Sequence, residues 1–250
     1  MLSRMLSPLA LFMLLFTLWE GYCRLSGVSD LVLPGPLAVL RALSASRDAL
    51  TGHALATISV ALPGFTLSVG FAVLTSVLLH ASPRAERAIL PVFVASQTVP
   101  LVALAPLMIL WFGFGLLPKI LLVILVTFFP VLLSLLSGYR QTPAAFTELL
   151  RSMGAGRREV FRRAIWPSAR PSFFAGLRIS ATYAIVATIF AEYAGARQGI
   201  GIWILSAKNS FRADLVLAGV VLSALLTLGL LGILRAIEHL TARGPGRRHA

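Results

Sequence analysis

The sequence predicts an all-α integral membrane protein with about six transmembrane helices, and three observations carry that prediction. Of its 250 residues 58% are hydrophobic and only 12% are charged, about half the charged share of an ordinary soluble domain. The mean hydropathy of +0.88 is too high for a chain that must keep a water-facing surface. Finally, the apolar runs are apolar on every side, whereas a closed barrel would alternate polar and apolar residues. In lipid that leaves the helix, which satisfies its backbone polar groups within one segment.

The spans follow from charge-free stretches, and together they make one transmembrane domain over 1–250. Residues 5–19, between Arg4 and Glu20, form the first and shortest, about as short as a bilayer allows. A basic residue before an apolar run also fits a secretory signal, but no convincing small-x-small cleavage site follows, so the segment is read as a retained span. The second helix is expected at about 53–80, interrupted by Pro63 and Gly64, and the third near 89–112, with Pro91, Pro100 and Pro106 inside it. Residues 120–139, 172–191 and 215–234 supply the fourth, fifth and sixth. Arg178, the one charge in the fifth, is expected to snorkel to the nearer surface.

Lysines and arginines set the orientation. With a cytoplasmic N-terminus, fifteen fall inside, namely Arg4, Arg84, Arg87, the seven arginines from Arg140 to Arg170, Arg178, Arg235, Arg243, Arg247 and Arg248. Seven fall outside: Arg24, Arg41, Arg47, Lys119, Arg197, Lys208 and Arg212. The positive-inside rule selects this arrangement, with both termini cytoplasmic. It also accounts for the net charge of +13 without nucleic acid as a partner. The lone Cys23 forms no internal disulfide, and His53, His80, His239 and His249 lack metal-ligand spacing. No GxxxxGK[ST] pattern occurs, so this chain is not expected to hydrolyse nucleotide or to bind a cofactor of its own.

One loop is patterned beyond what a connector needs. Between Pro143 and Pro171, Phe146, Leu149, Leu150 and Met153 fall at i, i+3, i+4 and i+7, one apolar face of a two-turn helix. Gly154 is placed to stop that helix as a C′ residue. A second helical stretch follows, with Val160, Phe161, Ala164 and Ile165 on one face, Arg157, Arg158, Arg162 and Arg163 elsewhere, and Pro167 expected to end it. An exposed apolar helix on a basic cytoplasmic loop is a handle for a soluble partner.

Glu148, Gly154 six residues later and Pro167 thirteen further resemble the EAA motif of the membrane subunits of binding-protein-dependent ABC importers. Leu149 and Leu150 stand where that motif has alanines, and its last four positions read Ala164, Ile165, Trp166 and Pro167. Further blocks at 100–115, 128–140, 150–180 and 191–204 are similar to the nitrate, sulfonate, taurine and thiamine-precursor group of such permeases, over about 53–240. The resemblance implies a type I ABC-importer permease fold in a bacterial inner membrane, with a cytoplasmic coupling helix in the loop 140–172. It implies an ATPase subunit that binds ATP and magnesium, a periplasmic or lipid-anchored substrate-binding protein, and a second copy of this chain. Phe146, Glu148, Leu149, Leu150, Met153, Gly154, Arg157 and Pro167 would then serve ATPase coupling. For the loop arginines two readings stand, acidic ATPase surface or topology and anionic headgroups.

Candidate pathway residues lie in the third and fifth spans. Gln97 and Thr98 are polar, and Pro100 and Pro106 each remove a backbone donor. Such irregular helix either lines a cavity or packs against protein. Tyr183, Thr188 and Glu192 follow in the fifth span; an acid near the bilayer boundary is a functional candidate, although a Glu192 that is simply interfacial, or paired with Arg197, is the favoured reading. Trp19, Trp111 and Trp203 sit where interfacial tryptophans are expected. A secondary transporter driven by an ion gradient would show inverted repeats with paired ionisable groups, and a membrane enzyme would show clustered His, Asp or Glu; neither pattern is seen. The group implied by the resemblance handles small anions (sulfonates, taurine, nitrate) as well as thiamine-related pyrimidines, and for this chain sulfonates and other small anions are slightly favoured.

Overall fold

The computed structural model describes residues 2–242, with side chains from residue 10 to residue 241. Arg243, Arg247, Arg248 and His249 lie outside them. The described chain is helical without a strand: α1 (Leu2–Leu25), α2 (Pro36–Ala45), α3 (Arg47–Ala81), α4 (Pro83–Ser96), α5 (Leu101–Phe112), α6 (Leu116–Arg140), α7 (Ala144–Ser152), α8 (Arg157–Val160), a π turn (Phe161–Ile165), α9 (Trp166–Tyr193), α10 (Ile200–Asn209) and α11 (Ala213–Ala242). Among the described residues four helical segments are long and apolar enough to cross a membrane: α3, α6, the α8–π–α9 rod and α11. The bent pair α4 and α5 makes a fifth if it counts as one span. Six were expected; α1, at 24 residues, has the length for the remaining crossing.

The third expected span is corrected most. Instead of one helix near 89–112, α4 and α5 meet at 98°. The Ser82 hydroxyl accepts the Ala85 N–H at 3.3 Å to start α4, as an N-cap does. The far end fails because Val99 precedes Pro100, which disfavours α geometry, and Pro100 brings no N–H. The amides of Gln97 and Thr98 reach only carbonyls three residues back, both at 3.1 Å. Pro100 then opens α5 at φ −62° and ψ 124°.

α6 stands at the centre, between α3 and α9. Apolar surface drives little association in lipid, where small residues permit close helix approach instead. A Cβ on Gly64 would lie 2.7 Å from Val123 on α6, and one on Gly176 would lie 2.7 Å from Ser134. Hydroxyls stitch the three helices: Thr127 donates to Ser68 at 2.7 Å, and Ser180 donates to the Thr127 carbonyl at 2.6 Å. α11 is peripheral, with 11% of its most apolar stretch buried against 44% for α6. Arg178 does not simply snorkel; it pairs with Glu238 of α11 at 2.5 Å.

The two ends of the bundle are distinct. The C-terminal end of α3 brings His80 against Tyr139 of α6 and Phe161 of the π turn, ring centroids 4.9 and 5.8 Å apart. That end therefore also carries the α6–α9 loop. The N-terminal end of α3 instead brings His53 to Gly199, between α9 and α10.

Candidate functional site

At the His80 end, the expected two-turn helix forms as α7. Phe146, Leu149 and Met153 are 60%, 58% and 75% exposed, Glu148 is exposed beside them, and Leu150 is half-buried. The helix ends in a Schellman arrangement: the Ala155 N–H reaches the Leu150 carbonyl and the Gly154 N–H reaches that of Arg151, both at 2.9 Å. Gly154 adopts φ +85°, which side chains other than glycine resist. Sequence periodicity and the closing glycine thus yield a short helix whose apolar side is uncovered.

Beyond Gly154, Val160 and Ala164 are buried while Arg157, Arg158, Arg162 and Arg163 are exposed. Arg163 pairs with Glu159 at 2.8 Å, and the other three have no carboxylate within ion-pair distance among the described residues. Pro167 does not end this stretch. It sits in the first turn of α9, and the helical track runs unbroken from Arg157 to Tyr193. The π turn explains the tolerance: the Trp166 N–H bonds back to the Phe161 carbonyl, five residues away. One widened turn changes which carbonyl each following amide would meet, so the missing proline N–H is absorbed at the start of α9.

The candidate pathway residues do not form one cluster. Gln97 donates to the Leu125 carbonyl at 3.1 Å, and Thr98 turns back onto the Ala95 carbonyl at 2.8 Å. Pro100 caps α5 and Pro106 lies within it. Tyr183 is half exposed, and the buried Thr188 hydroxyl donates to the Ala184 carbonyl of its own helix. α5 packs through Ala105 against Leu122 and Ala191, which brings Pro106 and Glu192 onto adjoining helices.

Glu192 corrects the expected pairing with Arg197. Only 1% exposed, it accepts the Thr57 hydroxyl at 2.8 Å on one oxygen and the Gly201 N–H at 2.7 Å on the other. Thr57 in turn accepts the Ile200 N–H at 2.9 Å. His53 Nδ1 lies 2.8 Å from the Gly199 carbonyl oxygen and 3.1 Å from its nitrogen, so its tautomer decides which of the two it serves. Trp203 stacks edge-on against His53 at 5.5 Å and donates to the Leu215 carbonyl. These contacts tie the α9–α10 turn to the start of α3. Thr57 and His53 escape a sequence reading because they lie 135 and 146 residues from their partners. The local signal was the acid itself, followed by Gly195, Gly199 and Gly201.

A family model described as the binding-protein-dependent transport system inner membrane component matches residues 64–243. The formylaminopyrimidine transport permease protein ThiX of Halalkalibacterium halodurans is 36% identical over 228 residues, covering 91% of this chain and 90% of that protein. The taurine transport system permease protein TauC of Escherichia coli is 32% identical over 231 residues, covering 90% and 84% respectively. Among solved structures, an inward-facing MetNI methionine ABC transporter superposes with a TM-score of 0.62 at 17% identity, over 76% of this chain and 95% of that one. At that identity the likeness concerns the fold alone.

Proposed function

The chain belongs to the binding-protein-dependent inner-membrane transport components and is the membrane-embedded permease subunit of an ABC importer; from that premise we propose that α7 is its coupling helix. The observation that carries this reading is the uncovered apolar face of Phe146, Leu149 and Met153, displayed by the Gly154 cap at one end of the bundle. Seated in a groove of a cytoplasmic ATPase, that face would gain about 25 cal/mol for each Å² removed from water. Glu148 would fix the helix's orientation, Leu150 would pack beneath it, and Arg157 would meet acidic ATPase surface. Pro167 would set where the loop passes into α9. ATP and magnesium belong on that partner, and a substrate-binding protein would deliver solute at the opposite end.

The functional core is assigned to about 53–240, with the coupling loop at 140–172. Two copies, each contributing one coupling helix, would convert ATPase closure and opening into rigid-body movement of the spans. Both termini would face the cytoplasm. Candidate pathway elements are the Gln97–Pro100 break, Thr98, Pro106, Tyr183, Thr188 and the buried Glu192. The cargo is a small solute, of the sulfonate and taurine type or of the pyrimidine-precursor type, two classes represented in the names of the relatives above.

The Gly154→Asp variant tests the coupling role. A Cβ at Gly154 meets nothing within 4 Å, so the fold is expected to survive while uptake and co-purification of the ATPase are both lost. A folded Gly154→Asp protein that retains its ATPase and its uptake refutes the assignment of α7.

A further inference from the structure

At the end of the bundle opposite α7, three elements line an open recess of about 570 Å³. α3 contributes Ser59, the α5–α6 turn and first turn of α6 contribute Phe114 and Lys119, and the α9–α10 turn contributes Arg197 and Gln198. Lys119 is half-buried and Arg197 is exposed, and neither has a carboxylate within 4 Å among the described residues. No acid lines the space. Glu192, whose carboxylate feels the Lys119 charge, lies outside that lining with its oxygens taken up by Thr57 and Gly201. Two cations from separate elements, neither in a direct ion pair, together with the Gln198 amide as a neutral donor, therefore converge on a recess of ligand size. Cations in a recess with low-dielectric walls concentrate the field there and raise the local concentration of anions. Lys119 offers a point charge and Arg197 a planar fork, a pair suited to an oxyanion.

We propose that this recess is a reception site for the oxyanion group of a small solute, entered from the side away from the ATPase. The proposal rests on the transport reading above for its direction and narrows the cargo to molecules with an anionic end. A sulfonate or carboxylate headgroup would lie between Lys119 and Arg197, accept from Gln198, and leave its organic part against Phe114.

The test uses full-length protein with Cys23→Ser and Ser59→Cys, in nanodiscs of phosphatidylcholine alone. The new thiol is reacted with anionic sulfonatoethyl methanethiosulfonate and with the cationic trimethylammonioethyl analogue, each rate normalised to a free thiol. The anionic-to-cationic rate ratio is expected to fall about tenfold in Lys119→Gln/Arg197→Gln, in line with field focusing by a charged cleft. It should return in Lys119→Arg/Arg197→Lys, which separates charge from fold. Ethanesulfonate should slow labelling saturably, and neutral dimethyl sulfone should not. An unchanged ratio in the double glutamine variant overturns the proposal. Protection that arises only when anionic lipid is added also overturns it, in favour of a lipid headgroup. ATPase co-purification is scored on the same preparations: its absence alongside a charge-dependent, ethanesulfonate-protected thiol removes the transport reading and supports the anion site.

Discussion

Two sites at opposite ends of this bundle, α7 and the Glu192 network, handle polar and apolar groups in opposite ways. Around α7, large apolar side chains face outward, and of Arg157, Arg158, Arg162 and Arg163 only Arg163 has a carboxylate partner among the described residues. Around Glu192 nearly everything is internally satisfied, with a buried carboxylate, a buried hydroxyl and the Ile200 and Gly201 amides joined in one network. An uncovered apolar face has its partner elsewhere, whereas a closed polar network has its partners already. Substitutions should accordingly register as lost association at the first end and as lost stability at the second.

The largest stability effect is expected for Gly199→Ala. A Cβ there would sit 2.2 Å from the Glu192 carboxylate carbon, at a backbone φ of +137°. Strain and displacement of a buried acid together should cost on the order of 3 kcal/mol, read as a lowered unfolding temperature in detergent. Glu192→Ala comes next, at about 2 kcal/mol, because it strands the Thr57 hydroxyl and the Gly201 N–H. Faster proteolysis within the α9–α10 turn would check it, and an unchanged cleavage rate would remove the network's claim to hold that turn. Gly154→Ala should be mildest, about 1 kcal/mol, since only the left-handed backbone opposes it and no neighbour stands in the way. If it unfolds the protein as readily as Gly199→Ala does, the contrast between the two ends is wrong.

What sequence could deliver divides along the same line. The long apolar segments and α7 with its closing glycine are written in local periodicity, and they stand where composition put them. The α4–α5 bend was harder, because a proline inside an apolar run is compatible with either a kink or a break; the outcome turned on Val99 and Pro100 together. Pro167 misled in the other direction, as nothing local announces a π turn able to absorb it. The bonds from Thr57 to Glu192 and from Arg178 to Glu238 join residues 135 and 60 positions apart. No spacing rule reaches across such distances, since the pairing is decided by how helices stack. Glu192 was therefore legible as an unusual residue while its partners were not.

The unbroken track from Arg157 to Tyr193 has a mechanical consequence. Its 37 residues make a lever roughly 55 Å long at the α-helical rise, continuous from the arginine-rich base to the tip that bears Glu192. The π turn, Pro167 and Pro171 near its base are the places where it would bend. Tilting the base by about ten degrees would sweep that tip through roughly 10 Å, on the same helical rise. The glycine turn at the tip, clamped to α3 by the Glu192 network, would then be dragged as one piece with the shaft.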